Sequence, residues 1–364
     1  MKKYVFPAGN PRYSYKTGDE KLDSKVALFR HMKPAIYRMA EQPLYVAPLP
    51  SEYEGVTSRT CPRISDGCHF PDKENWDYNL NRAKNMMADI DSKYESTFHR
   101  LNEGGRFKKE LPENISISTS NIYFSGNLAD APLVAHEMGH CYELGTHEEL
   151  SEVASIVPEL LVANRLKKDG VATMHPRHRI SQVNTMNKKM LEQQVVLDII
   201  GELGIDFNDA RKMTMESLIE EYKSKNNLPD NSIVDIVEGG LAARRSYSVA
   251  KHFAAHVQEN ELRQNPLHHR GLIYGSILAD KIKRGVLSHE EMRKVLNNYR
   301  LSPVQQLEEL GMGEMSDELV DVLYKVADSK RPEREVISAK SSSSADDAER
   351  LLISNLNEKG EMHR

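Results

Sequence analysis

Cysteine is scarce in this chain of 364 residues, with three in all, at positions 61, 68 and 141. A sparse and odd set argues against a disulfide framework and fits a reducing compartment. No apolar run approaches the roughly 20 residues needed to span a membrane. The start, MKKYVFPAGNP, is basic but lacks the apolar stretch of a secretory signal peptide, so a cytoplasmic location is expected. Excess charge is missing too. A net charge of −5 and a pI near 6.3 give no reason to expect a nucleic-acid partner. Internal repeats, coiled-coil heptads and long strand runs are also absent from the sequence. Charged residues at 28% and hydrophobic ones at 39% are ordinary for a soluble protein. The length suffices for a substantial core in one domain or two. None of this fixes an oligomeric state.

What the chain does have is concentrated at 130–159, DAPLVAHEMGHCYELGTHEELSEVASIVPE. As an α-helix, His136 and His140 lie four residues apart and stack one turn above the other. Two imidazoles so placed can grip a single Zn²⁺, while Glu137 beside them can activate water instead of ligating. Asp130 can cap this helix, Pro132 suits its first turn and Gly145 its exit. Val134, Met138 and Cys141 form its apolar face, with Cys141 a small core residue. A His-Glu-x-x-His string alone is weak, since chance gives it in roughly one chain in 20 of this length and composition. The residues after it raise its weight. Thr146-His147-Glu148-Glu149 reads as a capping box that opens a second, antiparallel helix. From Thr146 to Glu152 is about 9 Å of helix, which returns Glu152 level with the histidines. Glu152 is the expected third ligand, with Glu149, His147 and Glu159 as substitutes.

Glu152, Ser155 and Glu159 keep the spacing of a ligand Glu with Ser at +3 and Glu at +7. Together with His136-Glu137-Met138-Gly139-His140 they resemble the two zinc motifs of the thimet oligopeptidase and oligoendopeptidase F family of zinc peptidases. The resemblance covers about thirty residues. It implies one Zn²⁺ held by His136, His140 and Glu152, with Glu137 as general base. Two features depart from the family. The segment between His140 and Glu152 is short, and Glu143 stands where a His often follows. The family also takes oxyanion donors from a later His and Tyr segment. Here that stretch is Asn265 to Asp280, which implies His268, His269 and Tyr274, with Tyr247, His252 and His256 in reserve. Gly271 reads as a flexible loop residue between them.

Elsewhere the periodicity predicts a helix over 22–42 with Pro34 as a kink or break, and a Pro-rich extended segment over 43–73. One long helix is expected over 75–101, with Ala83, Met86, Met87, Ile90 and Tyr94 inward. Two strands, 115–118 and 121–124, read as a hairpin turning at Thr119-Ser120, able to pair with extended substrate. Gly126 suits the turn into the histidine helix. A loop at 170–179 precedes helices over 180–203, 207–226, 231–262 and 267–284, then shorter ones to about 327. Cys61, Cys68 and His69 could be a second metal cluster, although ordinary thiols are the simpler reading. The expected fold is mainly α, a zincin-type helical catalytic domain over 74–328 with a small β element beside the histidine helix. A wrapping segment over 1–73 precedes it, and a linker with a helical tail over 329–364 follows. The expected function is peptide-bond hydrolysis on oligopeptides or unfolded protein, with no nucleic-acid or membrane partner. The alternatives are an endopeptidase specialised for one protein and a non-catalytic helical binding protein with a vestigial zinc site.

Overall fold

Apolar residues recur at helical spacing along most of the chain, and helices dominate the fold. A computed structural model describes residues 20–46, 51–53, 55, 69–110, 121–142, 146–226, 248–249, 266–313 and 315–326. Within them the chain forms α1 (Glu20–Glu41), α2 (Trp76–Ala88) and α3 (Lys93–Glu103). Two short strands follow, β1 (Phe107–Lys108) and β2 (Ile122–Tyr123). Next come α4 (Ala131–Tyr142), α5 (Ser151–Lys168), α6 (His175–Leu203), α7 (Phe207–Ala210) and α8 (Met215–Asn226). The last four are α9 (Pro266–Lys283), α10 (His289–Leu296), α11 (Pro303–Glu309) and α12 (Asp317–Val326).

Helix α5 is the centre of the arrangement. Apolar residues lie around its whole circumference, the pattern of a helix buried on all sides. Val153, Ala154, Ile156, Val157 and Leu160 belong to one core, with residues of α1, α6, α9, α10, α11 and α12. Val162 and Leu166 belong to a second core, with residues of α2, α3, α4 and the strand segment. Helices α4 and α9 thus flank α5 from different cores.

Several expectations change in the structure. Helix α1 runs unbroken through Pro34. Leu28, Met32, Ala35, Ile36 and Met39 bury one stripe of it, and that packing outweighs the lost backbone hydrogen bond. The helix expected over 75–101 is two helices. The chain turns at Asp89–Ser92, where the Asp91 carboxylate accepts from the Lys93 amide at 3.0 Å and faces His289 Nδ1 at 3.3 Å. β2, within the predicted strand 121–124, pairs in parallel with β1, and the predicted hairpin partner 115–118 lies outside the described residues. The expected loop 170–179 is in part the start of α6. Gly126 has φ +88°, as a turn into α4 requires. Among the described residues no helix is long and apolar enough to cross a membrane. The predicted helix over 231–262 falls almost entirely outside the described residues, and Cys61, Cys68 and the tail from 329 lie wholly outside them.

Candidate metal centre

Two helices carry the site, and their close approach brings its groups together. A Cβ on Gly139 of α4 would lie 2.6 Å from Ser155 Cα of α5, so only glycine allows this spacing. His140 meets Glu152, Gly139 meets Ser155 and His136 meets Glu159, a descending-to-ascending register that makes the pair antiparallel. The capping box does not form. The Thr146 hydroxyl donates to Asn297 Oδ1 at 3.4 Å instead, a 3₁₀ turn occupies Glu148–Leu150, and α5 starts at Ser151. Glu152 therefore sits in the first turn of α5. Asp130 does not show the expected capping contact either. Its buried carboxylate accepts from the His69 amide at 3.0 Å, the His69 Nδ1 at 2.7 Å and the Ser125 hydroxyl.

The candidate ligand atoms converge. His136 Nε2 and His140 Nε2 are 3.2 Å apart, with Glu152 Oε2 3.5 Å from the first and Glu152 Oε1 3.5 Å from the second. These three side chains form the group, among the described residues, that could hold a metal ion. His136 and Glu152 are buried and His140 is partly exposed. Behind the group, His136 Nδ1 stands 2.8 Å from Glu159 Oε2. A carboxylate only accepts, so Nδ1 carries a proton and Nε2 is the nitrogen turned to the candidate metal position. Arg179, on α6, donates from Nε to Glu159 Oε1 at 3.3 Å and from Nη1 to Gln182 Oε1 at 3.2 Å. Its Nη2 is 3.4 Å from His136 Nδ1, but that nitrogen is already a donor, so the pair is a contact and not a hydrogen bond.

The electrostatics follow from burial. Desolvation and the charges of His136 and Arg179 hold the His140 imidazole neutral, with its pKa pushed down to about 3. Burial and Arg179 also disfavour charge on His136, but the Glu159 hydrogen bond and the carboxylates of Glu152 and Glu159 outweigh them and hold its pKa above the ordinary value. Burial pushes the Glu137 carboxyl up, against the opposing pull of His136 and Arg179.

The other expected residues have other partners. Of the substitute ligands, His147 Nε2 donates to the Leu301 carbonyl at 2.9 Å, and Glu159 stands behind His136. Tyr274 is fully buried in the first core, with its hydroxyl 2.9 Å from His31 Nδ1. His269 is buried with Nε2 2.9 Å from Asn187 Oδ1. Neither side chain has a hydrogen bond to the His136–His140–Glu152 group, and the side chain of His268 lies outside the described residues, as do Tyr247, His252 and His256. Gly271 is not in a loop. It lies within α9, where a Cβ would be 2.6 Å from Glu152 Cβ, so α9 presses its backbone against Glu152. Cys141 is a buried core residue outside any disulfide, as expected. Arg179 gave no signal in the sequence, because an arginine near a helix start reads as solvated surface.

Comparisons of the chain with protein-family models, with curated proteins and with solved structures give no match.

Proposed function

We propose that this protein is a zinc-dependent metallopeptidase that hydrolyses peptide bonds with Glu137 as its general base. The observation that carries the reading is the convergence of two Nε2 atoms and one carboxylate, with Glu159 bonded behind His136. Four-coordinate zinc with bonds of about 2.0–2.1 Å needs donors roughly 3.3–3.4 Å apart. The 3.2 Å between the two Nε2 atoms is close to that demand, and each nitrogen has one Glu152 oxygen at 3.5 Å, Oε2 for His136 and Oε1 for His140, with one ligand atom from each residue all within 4.8 Å of one another. A structural zinc site closes all four positions with protein ligands, whereas three protein ligands leave one open to water and substrate. The likeness to the thimet oligopeptidase and oligoendopeptidase F motifs supports the same chemistry.

Zinc, when bound, supplies Lewis acidity for the attacking water and the scissile carbonyl. The protein's own groups do the rest. Glu137, with its carboxyl held above the usual range by burial, takes a proton from the attacking water and passes it to the leaving amine. Glu159 keeps His136 in one tautomer, so His136 presents Nε2 and does not compete as a base. The presence of Glu137 weighs against a purely structural site, which has no use for it.

The test is zinc content of the purified protein together with cleavage of a random peptide library by wild type and Glu137→Gln. Wild type is expected to carry about one zinc and to cleave. Glu137→Gln is expected to keep the zinc and lose about 10²–10⁴-fold in rate. A fully active Glu137→Gln protein refutes the mechanism, and a wild type with zinc but no cleavage refutes the peptidase reading.

A further inference from the structure

We propose that Arg179 is the positioning residue of the metal centre, acting through Glu159 to fix His136. This rests on the metal-site reading above and adds to it a residue that neither the zinc motifs nor the ligand group includes. Glu159 divides its two oxygens, Oε2 to His136 Nδ1 at 2.8 Å and Oε1 to Arg179 Nε at 3.3 Å. Its side chain is 1% exposed and that of Arg179 is 10% exposed, so the protein and not water decides where the carboxylate points. Arg179 is itself held. Gln182, one turn on along α6, accepts from Nη1 at 3.2 Å. Helix α6 is tied to its neighbours by Asn187, whose amide donates to the Ile36 carbonyl and whose oxygen meets His269 Nε2. Asn184 adds two bonds to the Leu44 backbone, at 2.7 and 3.0 Å. A third helix thereby sets the orientation of an imidazole on α4 through a carboxylate on α5.

Two accounts of Arg179 predict opposite signs. A buried cation near a metal site repels the incoming ion, so on charge alone its removal should tighten zinc binding. If Arg179 works by holding Glu159, its removal lets the carboxylate leave Nδ1 and the His136 ring turn, and binding should weaken. Loss of such outer partners typically costs about 10–100-fold in metal affinity.

The experiment is competition between the full-length protein and a chromophoric chelator for zinc, with wild type, Arg179→Met, Glu159→Gln and the double variant. Urea unfolding of each metal-free protein reports folding separately. Arg179→Met is expected to bind zinc about 10–100-fold more weakly, and the double variant no more weakly than Glu159→Gln alone, because both changes break one chain of contacts. Unchanged or tighter binding by Arg179→Met overturns the proposal, and so do losses that add in the double variant. Should Arg179→Met fail to fold, Arg179→Lys carries the test. It keeps the charge but not the side-on guanidinium, and wild-type affinity in it overturns the proposal. A wild type that binds no zinc removes the metal-site reading and this proposal together. A wild type that binds zinc without cleaving peptides removes only the peptidase reading.

Discussion

Replacing Gly271 by alanine tests whether α9 fixes the third ligand. The new Cβ would stand 2.6 Å from Glu152 Cβ, 2.9 Å from its carbonyl carbon and 3.0 Å from its carbonyl oxygen. Ordinary carbon–carbon contact begins at about 3.5 Å, so the overlap approaches an ångström and falls partly on backbone, which cannot rotate aside. Overpacking of this kind costs about 1–3 kcal/mol. Removing a glycine from a helix interior returns roughly 0.5–1 kcal/mol, so the net loss of stability should lie at about 0–2.5 kcal/mol. The effect on zinc should be clearer. Donor positions in a metal site are tolerated within about 0.2 Å, and pushing Glu152 by several tenths of an ångström should lower zinc affinity about tenfold or more. Gly275 is the comparison. Its Cβ would meet Ile156 Cγ2 at 2.9 Å and Cβ at 3.2 Å, side-chain atoms that can give way, so Gly275→Ala should keep wild-type affinity. Chelator competition measures the affinity and urea unfolding the stability. Wild-type zinc binding by a folded Gly271→Ala protein would show that the ligand is not set by the helix behind it.

Two more outcomes follow from the same geometry. His140→Ala leaves two donors, so the purified variant should lose most of its zinc by elemental analysis, and full retention would place the ion elsewhere. His269 is neutral in the folded protein, since burial and the neighbouring Arg270 hold its pKa down to about 3. The unfolded chain accepts a proton there near pH 6.5, so the stability this ring contributes is present above that pH and lost as pH falls towards 3. Between pH 7 and pH 5 the loss should be about 2 kcal/mol. Urea unfolding of His269→Gln should therefore show a smaller acid penalty than wild type, and equal penalties would contradict the assignment.

The His136–His140–Glu152 group was legible because each part of it is a local rule. A spacing of four residues on a helix brings two histidines together whatever surrounds them, and a short connection forces the next helix to return alongside. Glu152 arrives where it was expected even though the capping box does not form, because Gly139 and Ser155 set the register. What stayed hidden depends on distant parts of the chain. Nothing near Arg179 says that it will be buried against Glu159. Nothing near Tyr274 says that its hydroxyl will be taken by His31, 243 residues earlier. Pro34 reads as a break until the buried stripe around it is known. The strand at Ile122–Tyr123 is legible as a strand, but its partner is chosen by long-range packing.

Helix α5 is a party wall between two packed bodies, and the ligand set straddles it. His136 and His140 hang from a helix seated in the second core, while Gly271 and Arg179 press in on helices of the first. A slip of α4 along α5 by the rise of one residue, about 1.5 Å, would spoil both histidine–Glu152 separations at once. The centre is therefore a gauge of registry between the two halves of the fold. Shear across that wall would change the spacing of all three side chains together.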